Sequence, residues 1–139
     1  MFIELDDYKV VIGQSAFSVV SQADTANLAN AEAEAVEEIS GYLRPKYDCA
    51  AIFAAEGDRR NRQVLMYACD IALYHLSSSL PGKMGMEIRK ERYERAIEWL
   101  RQVQSGIVVP DLPEATTDLG ESAAPSIRYG SKPLVDNSF

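Results

Sequence analysis

Histidine, tryptophan and cysteine are scarce in this 139-residue chain: one histidine, one tryptophan and two cysteines. Cys49 and Cys69 stand 20 positions apart with no CxxC. They suit buried thiols of a reducing compartment better than a disulfide framework or a zinc site. No apolar run approaches the ~20 residues that a membrane helix needs. The start, MFIELDDYK, has neither the basic residues nor the apolar stretch of a secretory signal, which points away from export by that route. Basic side chains are also in the minority, 14 against 21 acidic, for a net charge of −7. A protein built to grip nucleic-acid phosphates is usually basic, so sequence-specific nucleic-acid binding is disfavoured.

What remains is an ordinary globular composition, 47% hydrophobic and 25% charged, enough for one core. The chain divides unevenly. Residues 1–109 hold the large apolar side chains, whereas 110–139 carry four of the six prolines (Pro110, Pro113, Pro125, Pro133) and a net charge of −3. Such a segment buries too little surface to offset its own ordering entropy. The expected organisation is a helical domain over 1–109 and a flexible, extended C-terminal tail over 110–139.

Inside the domain the apolar spacing is helical almost throughout. A short helix is expected from Glu4 to Ile12, stopped by Gly13, and a second turn over Ser15–Val20. The next helix starts near Asp24 or Thr25. It carries the stripe Leu28, Ala31, Ala35, Ile39, Tyr42 and should end at Gly41 and Pro45. Its alanines predict a close helix neighbour. Residues 46–60 read as a connector. Asn61 to Ser79 is apolar nearly all round, which marks a central helix. The last helix follows Met86, with Tyr93, Ala96, Ile97, Leu100 and Val103 as inner stripe, Trp99 beside it and Gly106 as stop. The fold class is therefore all-α: an antiparallel bundle of three long helices plus one or two short N-terminal ones.

Catalytic constellations are missing from the sequence. HExxH, a phosphate-binding glycine loop and a GxSxG elbow do not occur. His75 lies on the most apolar helix and reads as a packed or rim imidazole. Glu34 and Glu38, one turn apart, read as a solvated face rather than a metal site. No catalytic residue, metal or cofactor is expected. Asp70 is the informative polar residue, because a carboxylate in an apolar helix is costly unless paired. Arg92 and Arg95 on the last helix are its expected partners. Arg59, Arg60 and Arg62 cluster at the start of the central helix, where positive charge opposes the dipole. They either pair with acids of the same domain or face another chain.

Three segments resemble a known family. Glu37–Tyr47, EEISGYLRPKY, is similar to the EIDGYLxxRY signature of small tailed-phage proteins. Ala68–Tyr74 resembles that family's ACDIARY, and Arg92–Leu100 its RYEDAIRWL, with Gly106 following. Ser40 replaces the usual aspartate, and Leu73 a frequent arginine. Ile127-Arg128-Tyr129 resembles an Arg-aromatic element near the family's C-terminus. The family is the Mu-like phage and prophage structural proteins of head-morphogenesis clusters, related to head–tail connectors. The resemblance implies a non-enzymatic adaptor that docks on the portal protein and forms a homo-oligomeric ring, at the virion head–tail junction and in the host cytoplasm during assembly. Structural roles are expected for Gly41, Tyr42, Asp70, Arg92, Tyr93, Arg95 and Trp99. Partner contacts are expected at Arg59, Arg60, Arg62, Ile127, Arg128, Tyr129 and Phe139, and none with a membrane. The other reading is a bacterial helical interaction module or regulator with no virion role.

Overall fold

The computed structural model describes residues 2–13, 17, 25–79 and 86–116. Helix α1, Leu5–Ile12, opens with the Asp7 carboxylate accepting from the Glu4 backbone N–H at 2.7 Å. It closes on Gly13, whose φ of 84° lies in the left-handed region that glycine tolerates. Of the turn expected over Ser15–Val20, only Phe17 lies within the described residues, and it is helical.

Helix α2 runs Thr25–Leu43, so Gly41 does not end it. Gly41 is a helical, exposed position, and the stop comes from Pro45, which disfavours a helical conformation for Arg44. The expected connector at 46–60 also needs correction, since it contains helix α3, Cys49–Ala54, and a 3-10 turn, Gly57–Arg59. Asp48 caps α3 by accepting from Ala51 N–H at 3.1 Å, and Ile52 anchors it in the core. A single polar cap and one buried aliphatic suffice for a helix too short to show periodicity.

Helix α4, Arg62–Ser79, is the central one. Asn61 caps it, its side-chain oxygen accepting from Gln63 and Val64 N–H at 3.0 Å each. Val64, Ala68, Cys69, Ile71, Ala72, Leu73 and Leu76 are all buried. Helix α5, Met86–Ser105, ends in a Schellman turn, with Ile107 N–H returning to Gln102 and Gly106 N–H to Val103 at a Gly106 φ of 88°. Tyr67 packs on Trp99 and Tyr74 stacks on Tyr93, at centroid distances of 5.0 and 4.2 Å. One number rises as the other falls, so α4 and α5 are antiparallel. The most extensive interface is α2 with α4. Ala31, Ala35, Ala68 and Ala72 are buried there or beside it, which meets the expectation of close packing.

Among the described residues there are five helices and no strand, and the fold is an all-α bundle. One part of the expected tail lies against it. Asp48 N–H donates to Pro113 C=O at 2.8 Å and Ala115 N–H to Lys46 C=O at 3.1 Å, around an antiparallel bridge of Tyr47 with Glu114. Leu112 is only 9% exposed, and Asn61 donates to Asp111 C=O at 3.2 Å. Residues 110–116 thus continue the helical body. Their ordering is offset by one buried leucine and a short ladder onto the turn after α2, which composition does not display.

Candidate functional site

Among the described residues, the buried and half-buried carboxylates are engaged in four seams between elements. In the first, Asp70 of α4 is 3% exposed and accepts twice from Arg92 of α5, from Nε at 2.7 Å and Nη2 at 3.3 Å. Burial pushes the Asp70 carboxyl above its ordinary range, and the Arg92 hydrogen bonds and charge oppose that rise. Arg92 is thus the partner, whereas Arg95, the other candidate, is exposed and within reach only through its charge. The two arginines are three positions apart and so neighbours on α5, but only the Arg92 guanidinium meets the carboxylate.

Arg89, one turn before Arg92, was not anticipated. It is half-buried beside the same carboxylate, and its Nη1 is buried with no hydrogen-bond partner among the described residues. Burial, and then the neighbouring Arg92 charge, push its pKa down.

The second seam joins three helices. Glu38 of α2 accepts from Tyr93 Oη of α5 at 2.5 Å, and its other oxygen lies 2.9 Å from Nε2 of His75 on α4. A carboxylate only accepts, so Nε2 carries the proton in this pair. His75 and Glu38 side chains are each 26% exposed, which makes this a rim cluster. Burial and the Glu38 carboxylate together push the Tyr93 phenol well up. Glu38 is therefore a junction between helices rather than part of a solvated face, while Glu34 remains exposed.

The third and fourth seams hold α1. Tyr8, fully buried, donates to Glu32 of α2 at 2.8 Å. Desolvation raises the pKa of both groups, and the phenol's hydrogen bond partly offsets this for Glu32. Arg60 donates to Asp7 through Nη1 at 2.6 Å and Nη2 at 3.2 Å, to Phe2 C=O at 2.7 Å and to Gly57 C=O at 2.9 Å. Its side chain is 11% exposed. Of the two alternatives for the arginine cluster, Arg60 therefore takes the pairing within its own domain, and not the contact with another chain. Arg59 and Arg62 are exposed and remain available. Tyr42 is half-buried against the core and Trp99 is buried. Gly41 faces open space: a Cβ there would meet nothing within 4 Å. Ile127, Arg128, Tyr129 and Phe139 lie outside the described residues, as does Asp24.

Sequence reading missed Tyr8, Glu32, Glu38 and Arg89. Glu32 had one available signal, its place directly after Ala31, where a slightly wider stripe takes it inside. Cys69 is buried and Cys49 half-buried, both free thiols. Burial raises both pKa values, which leaves them weak nucleophiles. Among the described residues no group of three or more His, Cys, Asp or Glu side chains is placed to hold a metal ion, and no helix is long and apolar enough to cross a membrane.

Fold and seams define a class: a helical bundle whose charged and phenolic side chains bind its own helices together. The family model described as Bacteriophage Mu, Gp36 matches residues 3–129, and the chain belongs to that family of Mu-like phage proteins. Neither the curated proteins nor the solved structures contain a match to it.

Proposed function

We propose that this chain is a non-enzymatic structural subunit of the phage head–tail junction, a connector that docks on the portal protein and assembles into a ring. Family membership over residues 3–129 carries the reading. Two features of the molecule support it. Its buried carboxylates, Asp70 and Glu32, serve internal helix contacts, which suits a rigid building block more than a reaction centre. Several large apolar side chains also face outward, with Val10 85%, Ile107 77% and Val109 72% exposed, as contacts for other chains require. The protein works without a cofactor at the capsid vertex, after assembly in the host cytoplasm.

The test is reconstitution. Purified protein mixed with the cognate portal should co-sediment with it and add a ring of density to the portal in negative-stain images. Absence of association, together with normal head–tail joining by a phage lacking the gene, would overturn the reading in favour of a regulator without a virion role.

A further inference from the structure

Asp70 has two arginines within its influence on the seam side of α5 and hydrogen-bonds to one. Arg92 donates to it twice, at 2.7 and 3.3 Å. Those bonds take two of the roughly four lone-pair positions that a carboxylate offers. Arg89 stands one turn earlier on α5, half-buried, under the charges of both Asp70 and Arg92. Its Nη1 is buried and has no hydrogen-bond acceptor among the described residues. A buried donor left unpaired forfeits its hydration for nothing, and native structures keep few of them. Repulsion from the neighbouring Arg92 charge adds to that cost. The present arrangement offsets neither, but a second arrangement of the same three side chains does.

The two arginines differ in where they can go. The Arg92 side chain is 27% exposed, so its guanidinium can turn out to water, whereas Asp70 is 3% exposed and stays inside. Arg89 Nη1 has already left water, so giving it an acceptor requires little further desolvation. Residues three apart on a helix have Cβ atoms about 5–6 Å apart, a gap that an arginine side chain spans by rotation with the backbone in place. We propose that Arg89 is a reserve partner for Asp70: when Arg92 swings out to the surface, the carboxylate accepts from Arg89 instead and the α4–α5 seam stays closed. Arg92 can then leave the seam for a carboxylate outside the subunit. With a single arginine the same departure would strand a buried charge, which is strongly destabilising. The inference makes no use of the portal or of ring formation.

The experiment uses the full chain and replaces each arginine by methionine, which keeps an unbranched apolar stem and removes the charge. Arg92→Met stands for the released state and should lower the urea midpoint only slightly, while Arg89→Met should leave it at or above the wild-type value. The double variant should unfold about tenfold more readily at pH 7 than the product of the two single effects, as expected of coupled neighbours. That extra loss should fade on acidification. Burial raises the Asp70 pKa and the arginines oppose the rise, so without them the folded-state value climbs further above the unfolded one, near 3.9. The penalty is then absent below the unfolded value and grows as pH rises through the folded one. A crystal structure of Arg92→Met should place the Arg89 guanidinium within hydrogen-bond distance of Asp70. Additive effects, an extra loss indifferent to pH, a crystal structure with Arg89 turned away from Asp70, or an Arg92→Met protein that does not fold would each overturn the proposal. A double variant that fails to fold while both single variants fold is the extreme of the same coupling and supports it.

Discussion

Tyr8 of α1 donates its phenolic hydrogen to Glu32 of α2 at 2.8 Å, across 24 positions of sequence. With Arg60 on Asp7 at 2.6 Å, it fastens the N-terminal helix to the bundle through two charged side chains, Glu32 and Asp7. Glu32 as a residue is 9% exposed, so its charge is held at a desolvation cost.

That cost sets a pH dependence. Burial raises the folded-state pKa of Glu32 above its unfolded value. A group shifted in this direction favours the fold fully below the unfolded pKa, near 4.3, and loses that contribution as pH rises through the folded value. Glu32→Gln keeps an oxygen for Tyr8 and stays neutral. It should be more stable than the wild type at pH 7, with the two melting curves converging on acidification. A gap that is constant from pH 7 to pH 3.5 would contradict the assignment.

Asp70 and Arg92 give a prediction of opposite sign. Removing one member of a buried pair strands the other, so Asp70→Ala should cost about 3 kcal/mol, the low end of the range because Arg92 can still reach water. Combining it with Arg92→Leu should recover much of the loss. Urea denaturation of the two single variants and the double variant measures the coupling directly.

Gly41 offers a gain. It sits inside α2, exposed, with room for a methyl group. Gly41→Ala should raise stability by about 0.5–1 kcal/mol, the usual difference between the two residues in a helix interior. A loss of stability would show that the backbone there needs glycine after all.

The C-terminal segment can be divided by deletion. Removing residues 110–139 takes away Leu112 and the ladder to Lys46 and Asp48, and should lower the thermal midpoint. Leu112→Ala alone should cost about 2 kcal/mol, toward the low end for a leucine at the edge of a core. Removing only 124–139, which keeps Leu112 and that ladder in place, should lower it less. Equal effects of the two deletions would show that Leu112 and the ladder contribute nothing.

Much of this molecule was determined by the sequence alone. Gly13 and Gly106 stop their helices because only glycine enters the left-handed region without strain, a local property that needs no tertiary context. The apolar surround of Ile71 and the stripe through Ile97 and Leu100 decide which faces of α4 and α5 turn inward, since burial follows helical period. A lone aspartate within that apolar run had to be paired, and arginine on the facing helix was the available partner. Tertiary structure alone decided the rest. Which arginine met Asp70 depended on the rotational phase of α5. Glu38 met His75 and Tyr93, and Arg60 met Asp7, across separations of 37, 55 and 53 residues, distances at which neither spacing nor propensity carries information. Residues 110–116 joined the body because the turn after α2 left backbone groups unpaired and a pocket for Leu112. Composition records how much apolar surface a segment has, but only the folded chain determines whether a complementary edge lies within its reach.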